Sequence, residues 1–463
     1  MTRVAVVGGG IAGLAVAHAL RRMAPETEVI VLETGSRPGG NIRSERAEGY
    51  LCEWGPNGFL DSVPETLVFA RDLGLAERLQ RSDDRARRRF IFRGGRLHPL
   101  PGGPGAFLGS RLLSWRGKLR IPGEPFAPSR PEGDETIHEF AARRIGREAA
   151  EVLVGSMVSG VFAGDARALS LRACFPKMWQ METDHGGLFR ALFAKMRERR
   201  LRRGDPVGSP LGTLTCFRDG TEELARAAAT ALGPSLRLGA AATALRRSGS
   251  RWRVEAAGGG LEADAVVLAS PPSASARLVG DLDDRLAAEL SGIPSAGLAV
   301  VALGYAERDL PRPLDGFGFL VPRGEGPRIL GVLWDSSIYP GRAPSGRVLM
   351  RAMIGGALDP EAVRLEDAAL LDVVRRDLRT TMGLSSEPGF VRVFRHPLGI
   401  PQYVVGHLDR LARIEARLLR LPGLFVAGNG YRGVAINSCV AEAVPLAERV
   451  QASGMRVRPL TGG

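Results

Sequence analysis

Three glycines near the start of the chain have the spacing of a dinucleotide-binding turn. Gly8, Gly10 and Gly13 form the pattern G-x-G-x-x-G between an apolar, β-branched stretch and a helical stretch. In such a turn the first glycine permits the tight bend, the second lets the backbone approach a pyrophosphate, and the third lets helix and strand pack closely. The phosphate charge then lies at the helix N-terminus, where backbone N–H groups are unpaired. The pattern therefore predicts a dinucleotide cofactor at this turn.

Glu33 supplies the carboxylate that such a site needs for its ribose. It follows Gly13 by twenty residues, at the end of the second predicted strand, where it can accept hydrogen bonds from both ribose hydroxyls. A negative charge there repels a 2′-phosphate, which disfavours NADP. The same fingerprint serves NAD and FAD, and a chance cluster is the plain alternative in a chain with 60 glycines.

Three further turns favour FAD, because FAD touches more of a chain than NAD does. The loop 37–40 (RPGG) lets the backbone pass over a pyrophosphate and ribityl chain, and Arg37 can neutralise phosphate charge. The stiff turn 55–58 (GPNG) can lie against a flavin ring. Residues 427–436 form a second strand–glycine–helix junction that can aim backbone N–H groups at the flavin. Each alone is typical of an ordinary loop, but together they predict FAD.

The elements that position these turns follow from the hydrophobic pattern. A strand over 3–7, a helix over 14–23 and a strand over 28–33 predict a βαβ unit with a parallel sheet. Further strands are predicted near residues 236, 252 and 265 and over 423–427, with a last helix over about 438–450. This order predicts a nucleotide domain assembled from N-terminal, middle and C-terminal pieces.

A second domain is predicted between those pieces. Residues 90–101 indicate a hairpin with Gly94-Gly95 as its turn, and helical stretches run from 136 to about 161. Alternating apolar segments predict an antiparallel sheet, and they lie at 296–303, 317–321, 329–334 and 348–354.

Length and composition exclude several classes of protein. The chain has 463 residues, 44% hydrophobic and 24% charged, which predicts two or three globular domains and excludes a disordered or collagen-like chain. No apolar run approaches the ~18–20 residues of a membrane span, and the N-terminus lacks the regions of a signal peptide. The 4 cysteines form no C-x-x-C pair, which argues against a disulfide scaffold or zinc ribbon. A reduced, cytoplasmic setting is expected.

The net charge of +13 comes almost wholly from arginine. Lys118, Lys177 and Lys195 are the lysines among 63 basic residues, and the densest basic runs are 85–89 and 197–203. Aromatic residues make up 6% of the chain, too few to interleave with the basic ones, so nucleic acid is not an expected partner. An anionic membrane surface or a carboxylate-bearing ligand fits the charge better.

The segment 101–116 has two interpretations of equal weight. Its large apolar side chains lie among Arg111 and Arg116, and they are Phe107, Leu108, Leu112, Leu113 and Trp115. Such a pattern suits insertion into a membrane interface. It is equally typical of a core helix in an inserted domain.

Over nearly its whole length the chain resembles the FAD-dependent protoporphyrinogen oxidases, within the amine oxidase and phytoene desaturase superfamily of flavoproteins. The flavin elements VVGGGIAGLAVAHAL, LETGSRPGGNIRSE and EWGPNGF match that family, as does GLFVAGNGYRGVAIN near the C-terminus. More diagnostic are SGVFAGDARALSLRACFPKMW at 159–179, GFGFLVP at 316–322 and the stretch GVLWDSSIYPGRAPSGRVLM.

The resemblance implies an α/β protein with an α+β insert. Its parts would be an interrupted Rossmann-like FAD-binding domain of the p-hydroxybenzoate-hydroxylase type, a mixed-sheet substrate domain and a helical, membrane-facing domain. The expected FAD-binding domain comprises 1–85, 215–285 and 405–463. The substrate domain comprises 86–100, 165–214 and 286–404, and the helical domain comprises 101–164.

The turns and the resemblance together give an expected set of cofactor-binding residues. The set is Gly8, Gly9, Gly10, Ile11, Ala12, Gly13, Glu33, Arg37, Gly40, Asn41, Ile42, Arg43, Gly55, Pro56, Asn57, Gly58, Ala242, Gly428, Asn429, Val434, Ala435 and Ile436. Ala242 stands where the family usually has valine beside the adenine.

The resemblance also implies a substrate site for a porphyrinogen. Arg89 matches the arginine that grips a propionate, and Gly160 matches a backbone position near the tetrapyrrole. Leu320 and Tyr339 match positions that sandwich its rings, with Tyr339 where the family often has phenylalanine. A tetrapyrrole needs a broad apolar slot with a cation at one rim, and arginine binds a carboxylate bidentately. Locally, however, Arg89 ends a basic run of the kind that usually forms a solvated face.

The activity implied is oxidation of protoporphyrinogen IX to protoporphyrin IX in heme biosynthesis. Hydride would pass from a meso carbon to FAD, and O2 would reoxidise the flavin to give H2O2. The sequence shows no nucleophile triad, and its six histidines lack metal-ligand spacing, so no metal is expected. Asn57 is the candidate for orienting the reacting edge, although a turn-forming asparagine in P-N-G is an equal interpretation.

Several alternatives stay open at this point. Coproporphyrinogen III, with four carboxylates, is the nearest rival substrate, and Arg43, Arg93 or Arg172 could serve the extra pair. An amine oxidase would keep a lysine near the flavin, and a phytoene-type desaturase would need a longer apolar tunnel. A binding module that has lost its flavin is the non-enzymatic alternative. The expected partners are the tetrapyrrole, O2 and a membrane surface contacted peripherally, and a homodimer is compatible with the sequence.

Overall fold

The computed structural model describes residues 2–128, 132–201 and 212–456. It begins with the predicted βαβ unit, formed by strand β1 (Arg3–Val7), helix α1 (Ile11–Met23) and strand β2 (Glu28–Leu32). Helix α1 begins three residues before the predicted start, because Gly10 is extended and the next residue is already helical. The glycine turn is therefore shorter than expected, and Gly13 lies inside the helix.

The other strands follow in chain order. They are β3 (Ser44–Ala47), β4 (Tyr50–Glu53), β5 (Phe59–Leu60), β6 (Leu79–Arg81), β7 (Arg89–Arg93), β8 (Arg96–Pro99), β9 (Leu214–Phe217), β10 (Leu236–Arg237), β11 (Ala242–Ser248), β12 (Arg251–Ala256), β13 (Leu261–Ala263), β14 (Ala265–Leu268), β15 (Ser295–Ala306), β16 (Gly318–Leu320), β17 (Ile329–Leu333), β18 (Arg347–Gly355), β19 (Phe390–Pro401) and β20 (Leu424–Val426).

The other α-helices also follow in chain order. They are α2 (Pro64–Asp72), α3 (Pro104–Gly109), α4 (Trp115–Arg120), α5 (Ile137–Ile145), α6 (Arg147–Ala149), α7 (Ser156–Phe162), α8 (Leu171–Cys174), α9 (Pro176–His185), α10 (Leu188–Leu201), α11 (Glu222–Leu232), α12 (Pro272–Val279), α13 (Asp284–Ser291), α14 (Asp335–Ile338), α15 (Asp367–Met382), α16 (His407–Leu418), α17 (Ile436–Ala441) and α18 (Ala443–Arg456). A π-helical turn, Ala150–Gly155, joins α6 to α7.

A five-stranded parallel sheet confirms that the nucleotide unit is assembled from distant parts of the chain. Its strand order is β10-β2-β1-β14-β20, and each neighbouring pair is parallel. One face packs against α1, α11, α17 and α18, and the other against α12, α13, α16 and the small sheet β11–β13. Parallel sheets need this cover on both faces. The predicted strands at 3–7, 28–33, 265 and 423–427 all belong to it.

A seven-stranded mixed sheet forms the second unit. Its order is β19-β15-β18-β17-β16-β7-β8. The predicted hairpin is present as β7 and β8, joined by Gly94 and Gly95 with φ of 56° and 78°. The predicted antiparallel pairing is confirmed for β15, β16, β17 and β18. The sheet as a whole is mixed, because β7 arrives from far upstream and runs parallel to β16.

The two faces of the seven-stranded sheet have different partners. Phe319 and Val332 lie side by side on one face, which packs against α15. Leu320 and Met353 belong to the opposite face, because successive side chains in a strand alternate. That face meets the β3–β4 hairpin and helix α7. A site between the two sheets is therefore bounded by the face that carries Leu320.

The segment 101–116 lies in a helical region that spans residues 101–201. The burial of its apolar side chains tests the two interpretations of the segment. Leu112 and Leu113 are buried, and Phe107 packs partly against the same apolar cluster. Leu108 and Trp115, by contrast, are 53% and 65% exposed. The segment thus divides between a core part and an outward part, because only one side of it contacts the rest of the region.

Two further observations concern charge and hydropathy in this region. Part of the basic run 197–203 falls on residues 202 and 203, which lie outside the described residues.

Across the described ranges, no helix combines the length and the apolar character needed to cross a membrane.

Candidate active site

The first glycine turn has the local geometry that its sequence predicts. Gly8 has a φ of +117°, a conformation that favours glycine. A Cβ atom on Gly13 would lie 2.0 Å from the carbonyl oxygen of Gly8, so only glycine allows this approach of helix to strand. A Cβ on Gly10 would meet nothing within 4 Å. Gly10 therefore faces open space at the start of α1, whose first turn holds no acidic residue.

Glu33 closes the turn from the next strand. Its Oε2 accepts a hydrogen bond of 2.6 Å from the Gly9 N–H, and its Oε1 accepts one of 2.7 Å from the Gly35 N–H. A carboxylate has about four lone-pair sites, so both oxygens keep the capacity to accept further hydroxyl donors. The carboxylate is thus held in place by backbone groups beside the turn.

The loop 37–43 lies directly on the first turn. The Gly39 N–H donates to the Gly9 carbonyl at 2.8 Å, and Gly10 and Gly39 form an isolated parallel bridge. Arg37 differs from the expectation that it faces a phosphate. Its guanidinium donates to three carbonyls of its own loop, those of Pro38, Gly40 and Ile42. Arg37 therefore holds the shape of the loop.

The turn 54–58 packs against that loop. The Trp54 N–H donates to the Arg43 carbonyl at 2.8 Å, and a Cβ on Gly55 would lie 2.8 Å from the Asn41 carbonyl oxygen. The Arg43 guanidinium lies over the Trp54 ring at 3.6 Å. The Asn41 side chain donates to the Gly399 carbonyl at 3.4 Å, which links the loop to β19.

The C-terminal glycine turn meets the first one. A Cβ on Gly428, whose φ is +115°, would lie 3.9 Å from the Cβ of Ala12 in α1. The Tyr403 hydroxyl donates to the Asn429 carbonyl at 2.5 Å. Of the residues that follow, Val434 packs against the α5–α7 cluster, Ala435 precedes α17 and Ile436 is buried. The prediction that the first and last glycine turns lie together is confirmed.

Ala242 begins β11, next to the loop that follows Glu33. The Ala240 N–H donates to the Glu33 carbonyl at 2.8 Å, and the Gly239 N–H donates to the Gly35 carbonyl at 3.0 Å. The structure therefore brings Ala242 to the ribose side of the first turn.

A buried cluster of charges lies beneath the turn 54–58, and sequence reasoning missed it. Glu53, Asp335, Arg342 and Arg351 are each at most 2% exposed. Arg342 donates to Glu53 Oε1 at 2.8 Å, and Arg351 donates to both oxygens of Asp335 at 2.7 and 2.9 Å. An arginine inside the apolar strand VLMRAMIG was the available signal, because a buried charge must be paired.

The charged state of Arg351 is maintained by its neighbours. Burial lowers the pKa of Arg351, but the carboxylates of Asp335 and Glu53 raise it, and the net pKa is above its ordinary value. The cluster thus holds two positive and two negative groups with no net charge.

Asn57 is anchored to that cluster through one end of its amide. Its Oδ1 accepts a hydrogen bond of 2.7 Å from Nη2 of Arg351. Its Nδ2 is buried and has no hydrogen-bond partner in the described part of the chain. An unpaired buried donor costs about 1–3 kcal/mol, so this atom points to an acceptor supplied from outside the chain.

Three of the expected substrate residues come together on the seven-stranded sheet and α7. A Cβ on Gly160 would lie 2.6 Å from Cδ2 of Leu320, so helix and strand touch there. Arg89 pairs with Gly318, two residues before Leu320, and so shares its face of the sheet. The Arg89 side chain is exposed, with its guanidinium 5.0 Å from the centre of the Phe317 ring.

Tyr339 does not join the other three residues. Its side chain has 0% exposure and packs with Cys216, Ile338 and Ala86. Its hydroxyl would lie 2.8 Å from a Cβ on Gly58, so Tyr339 supports the turn 54–58 from below. Burial raises the pKa of Tyr339 and raises the pKa of the Cys216 thiol to about 12. The expectation that Tyr339 covers a ring of the substrate is not met in this arrangement.

The assembled turns fit an extended dinucleotide better than a metal ion. Gly10 opens a helix N-terminus, Glu33 is fixed beside it, and the Nδ2 donor of Asn57 lacks a partner, so the turns offer both hydrogen-bond donors and a carboxylate acceptor. In the described residues no group of three or more His, Cys, Asp and Glu side chains could hold a metal.

The chain matches one family model and several named proteins over most of its length. Residues 11–451 match the family model described as flavin containing amine oxidoreductase. The protoporphyrinogen oxidase of Homo sapiens is 36% identical over 465 residues, covering 94% of this chain and 96% of that protein. The coproporphyrinogen III oxidase of Bacillus subtilis (strain 168) is 31% identical over 460 residues, covering 94% of this chain and 95% of that protein.

A solved structure from Exiguobacterium sp. 255-15, which carries a provisional protoporphyrinogen oxidase name, has a similar fold. It superposes with a TM-score of 0.84 at 29% identity, covering 97% of this chain and 99% of that one.

The glycine turn yields a matched pair of variants. We expect Gly13→Ala to destabilise the protein by about 3 kcal/mol or more, because its Cβ would collide with backbone. Gly10→Ala should change the stability of the cofactor-free protein by no more than about 1 kcal/mol, because its Cβ meets open space. Yet Gly10→Ala should abolish retention of a bound flavin. Urea unfolding of the stripped protein and its visible spectrum after reconstitution check both expectations. A yellow Gly10→Ala protein would show that the cofactor does not lie against this turn.

Proposed function

The chain belongs to the flavin containing amine oxidoreductase family, and we propose that it oxidises protoporphyrinogen IX to protoporphyrin IX in tetrapyrrole biosynthesis. FAD is its cofactor, and O2 accepts the electrons. The observation that carries the proposal is the convergence of four separated turns beside a face of the second sheet that offers an exposed arginine. The names of the plant and mammalian relatives support the same activity, whereas the Bacillus subtilis relative is named for coproporphyrinogen III.

The four turns would hold FAD in the order that their chemistry dictates. Gly8 to Gly13 and the N-terminus of α1 would take the pyrophosphate, and Glu33 would take the adenosine ribose, with Ala242 near the adenine. The loop 39–43 would cover the ribityl region. The turn 55–58 and residues 428–436 would flank the flavin ring.

The expected division of the chain stays part of this proposal. An FAD-binding domain of the p-hydroxybenzoate-hydroxylase type would comprise 1–85, 215–285 and 405–463. The substrate domain would comprise 86–100, 165–214 and 286–404, and a membrane-facing helical domain 101–164. The discontinuous parallel sheet and the junction of α7 with β16 support this division.

The chain's own residues would bind and orient the porphyrinogen. The chemistry that FAD supplies when bound is acceptance of hydride from a meso carbon, with the electrons passed on to O2 to give H2O2. Leu320 would offer an apolar surface to the macrocycle, and the absence of a side chain at Gly160 would leave room beside it. Asn57 would present its Nδ2 donor at the reacting edge.

Arg89 is suited to holding a propionate. Among the described residues no carboxylate pairs with it, whereas its neighbour Arg88 donates to Asp315 at 2.5 Å. Arg312 is bound to the same carboxylate at 3.1 Å. Arg89 thus keeps an uncompensated charge on the face that carries Leu320, where a planar guanidinium can bind a carboxylate with two hydrogen bonds.

Three further arginines are candidates for the extra carboxylates of coproporphyrinogen III. Of the three arginines considered for an extra pair, Arg93 is already bound to Glu148 at 2.9 Å. Arg43 and Arg172 lie over the rings of Trp54 and Trp179. A second carboxylate pair would have to displace Glu148 from Arg93, whereas Arg43 and Arg172, like Arg89, have no carboxylate partner among the described residues. Coproporphyrinogen III therefore stays the alternative substrate, and a relative is named for it.

The two lysines whose side chains the structure describes, Lys118 and Lys177, give the amine oxidase alternative no support. Lys118 is buried in the helical region, where its Nζ donates to the Leu108 carbonyl at 2.7 Å and lies 4.5 Å from the centre of the Trp115 ring. It is therefore committed to the segment 101–120. Lys177 lies in α9, an element of the same helical region.

We infer that the outward side of the helical region contacts a membrane surface from the cytoplasm. Large apolar side chains are exposed there, namely Leu108 (53%), Trp115 (65%), Leu119 (72%), Phe126 (88%) and Phe193 (65%). Arg116 and Arg120 lie among them, and arginine near an anionic surface adds attraction. A homodimer stays a prediction.

The propionate role of Arg89 can be tested against its neighbour. We expect Arg89→Ala to raise KM for protoporphyrinogen about 10- to 100-fold, because a charge-assisted hydrogen bond is lost. Its FAD content should stay unchanged. Arg88→Ala, which removes the pair with Asp315 and the contact with the Phe90 ring, should change KM by less than about twofold. Steady-state kinetics on both variants give the answer, and normal turnover by Arg89→Ala would refute the role.

The membrane contact can be tested with vesicles. A Trp115→Ser, Phe126→Ser double variant should bind anionic vesicles at least about tenfold more weakly than the unmodified protein, because two large apolar side chains no longer insert. Leu419→Ser is the control, since Leu419 is 84% exposed but directly follows α16. Cosedimentation measures both. An equal loss in the control, or no loss in the double variant, would contradict the proposed surface.

A further inference from the structure

Arg351 connects the second sheet to the turn above it through three hydrogen bonds. Its Nη1 donates to the carbonyls of Glu53 at 2.7 Å and Gly55 at 3.2 Å, and its Nη2 donates to Oδ1 of Asn57 at 2.7 Å. The side chain is 1% exposed and belongs to the central strand β18. One guanidinium thus binds residues 53–57, most of which belong to the turn 54–58, to a rigid strand.

Burial of the Arg351 side chain costs free energy, so we expect it to give the site a property that an apolar residue at this position could not give. Removing a charge from water costs several kcal/mol, and a buried ion pair often stabilises no more than an apolar pair of equal volume. Asp335 compensates the charge of Arg351 on the far side, through Nε and Nη2. Stability alone therefore does not account for an arginine at this place in an apolar strand.

The consequence of the arrangement is the orientation of the Asn57 amide. A guanidinium has only donors, so Asn57 must turn its Oδ1 towards Arg351 and its Nδ2 away. Because Nδ2 then has no acceptor in the described residues, the amide is held with a hydrogen-bond donor ready for a ligand. Without Arg351, the two ends of the amide would have no such preference.

We propose that Arg351 is a positioning residue for the flavin site, which fixes residues 53–57 and orients Asn57 so that Nδ2 donates to an acceptor of the bound cofactor. This inference rests on the proposed function, since it needs FAD against the turn 55–58. The donor would stabilise the electron-rich, reduced form of the ring more than the oxidised form, because hydrogen bonds to the more negative acceptor are stronger. Arg351 would thereby raise the midpoint potential of the bound flavin without touching it.

Two variants separate orientation from simple burial of charge. Asn57→Asp keeps an oxygen towards Arg351 but replaces the Nδ2 donor with a second oxygen. Arg351→Lys keeps a positive charge beside Asp335 but has too few donors to hold the turn and Asn57 together. Arg342→Lys is the matched control, because Arg342 is equally buried in the same cluster and donates to Glu53 and Cys216.

The experiment measures the two-electron midpoint potential and the visible spectrum of the FAD-loaded proteins. We expect Asn57→Asp to disfavour reduction at least tenfold, which corresponds to about 30 mV towards more negative potential. Arg351→Lys should change the potential in the same direction, and the double variant should show less than the sum of both effects, since the two residues act through one amide. Arg342→Lys should leave the equilibrium constant for reduction within about twofold.

Unchanged potentials in Asn57→Asp and Arg351→Lys would overturn the proposal, as would an equal change in Arg342→Lys. If Arg351→Lys does not fold, Asn57→Ala decides, because it removes the Nδ2 donor without adding the negative charge that Asn57→Asp brings beside the flavin. Failure of the proposed function is a distinct result: the unmodified protein would then bind no FAD, or would bind it without oxidising a porphyrinogen.

Discussion

The site depends on one close approach of backbone to backbone. At Gly13 the first helix comes so near the end of the first strand that no side chain fits between them, and Gly8 turns the chain with a positive φ to permit it. This contact aims the N-terminus of α1 at open space beside Gly10. Every other element of the nucleotide site is placed relative to that helix end, including Glu33, the loop 37–43 and the C-terminal turn at Gly428.

A second constraint joins the nucleotide unit to the sheet that faces it. The turn 54–58 belongs in sequence to the first unit but is bound from below by Arg351 of the second sheet. The pair of Arg351 with Asp335 makes this joint rigid, because both charges have a partner away from water. Hydride transfer requires cofactor and substrate to keep a fixed separation, and this joint is where the two units are held in register.

The sequence predicts the parts of the fold that local pattern determines. The βαβ unit and the Gly94-Gly95 hairpin follow from apolar periodicity and glycine positions, and both are present. Strand β19 was missed, because Pro397 and Gly399 are residues that usually interrupt a strand. The parallel pairing of β7 with β16 was also missed, since residues far apart in the chain determine it. Periodicity carries no information about such long-range pairing.

The residues of the candidate site also divide into those that the local sequence pattern predicts and those that it does not. Glycine turns could be predicted because their conformation requires glycine, and the structure brings them together. The buried charge cluster could be predicted only in part: Arg351 lies inside an apolar strand, but no local pattern shows which carboxylate pairs with it, and Arg342 looks like one of many in a chain with 63 basic residues. For Tyr339, the resemblance predicted a contact with the substrate. In the structure, its neighbours bury it completely. Tertiary contacts determine whether such a side chain is buried or lies at the substrate site.

Anaerobic mixing shows whether this chain brings a porphyrinogen to FAD. Purified, FAD-loaded protein is mixed without oxygen with protoporphyrinogen IX or with coproporphyrinogen III, and the flavin absorbance is followed in time. We expect bleaching by protoporphyrinogen IX at lower concentration than by coproporphyrinogen III, and return of the yellow colour with H2O2 when O2 is admitted. A flavin that stays oxidised with both porphyrinogens would contradict this expectation.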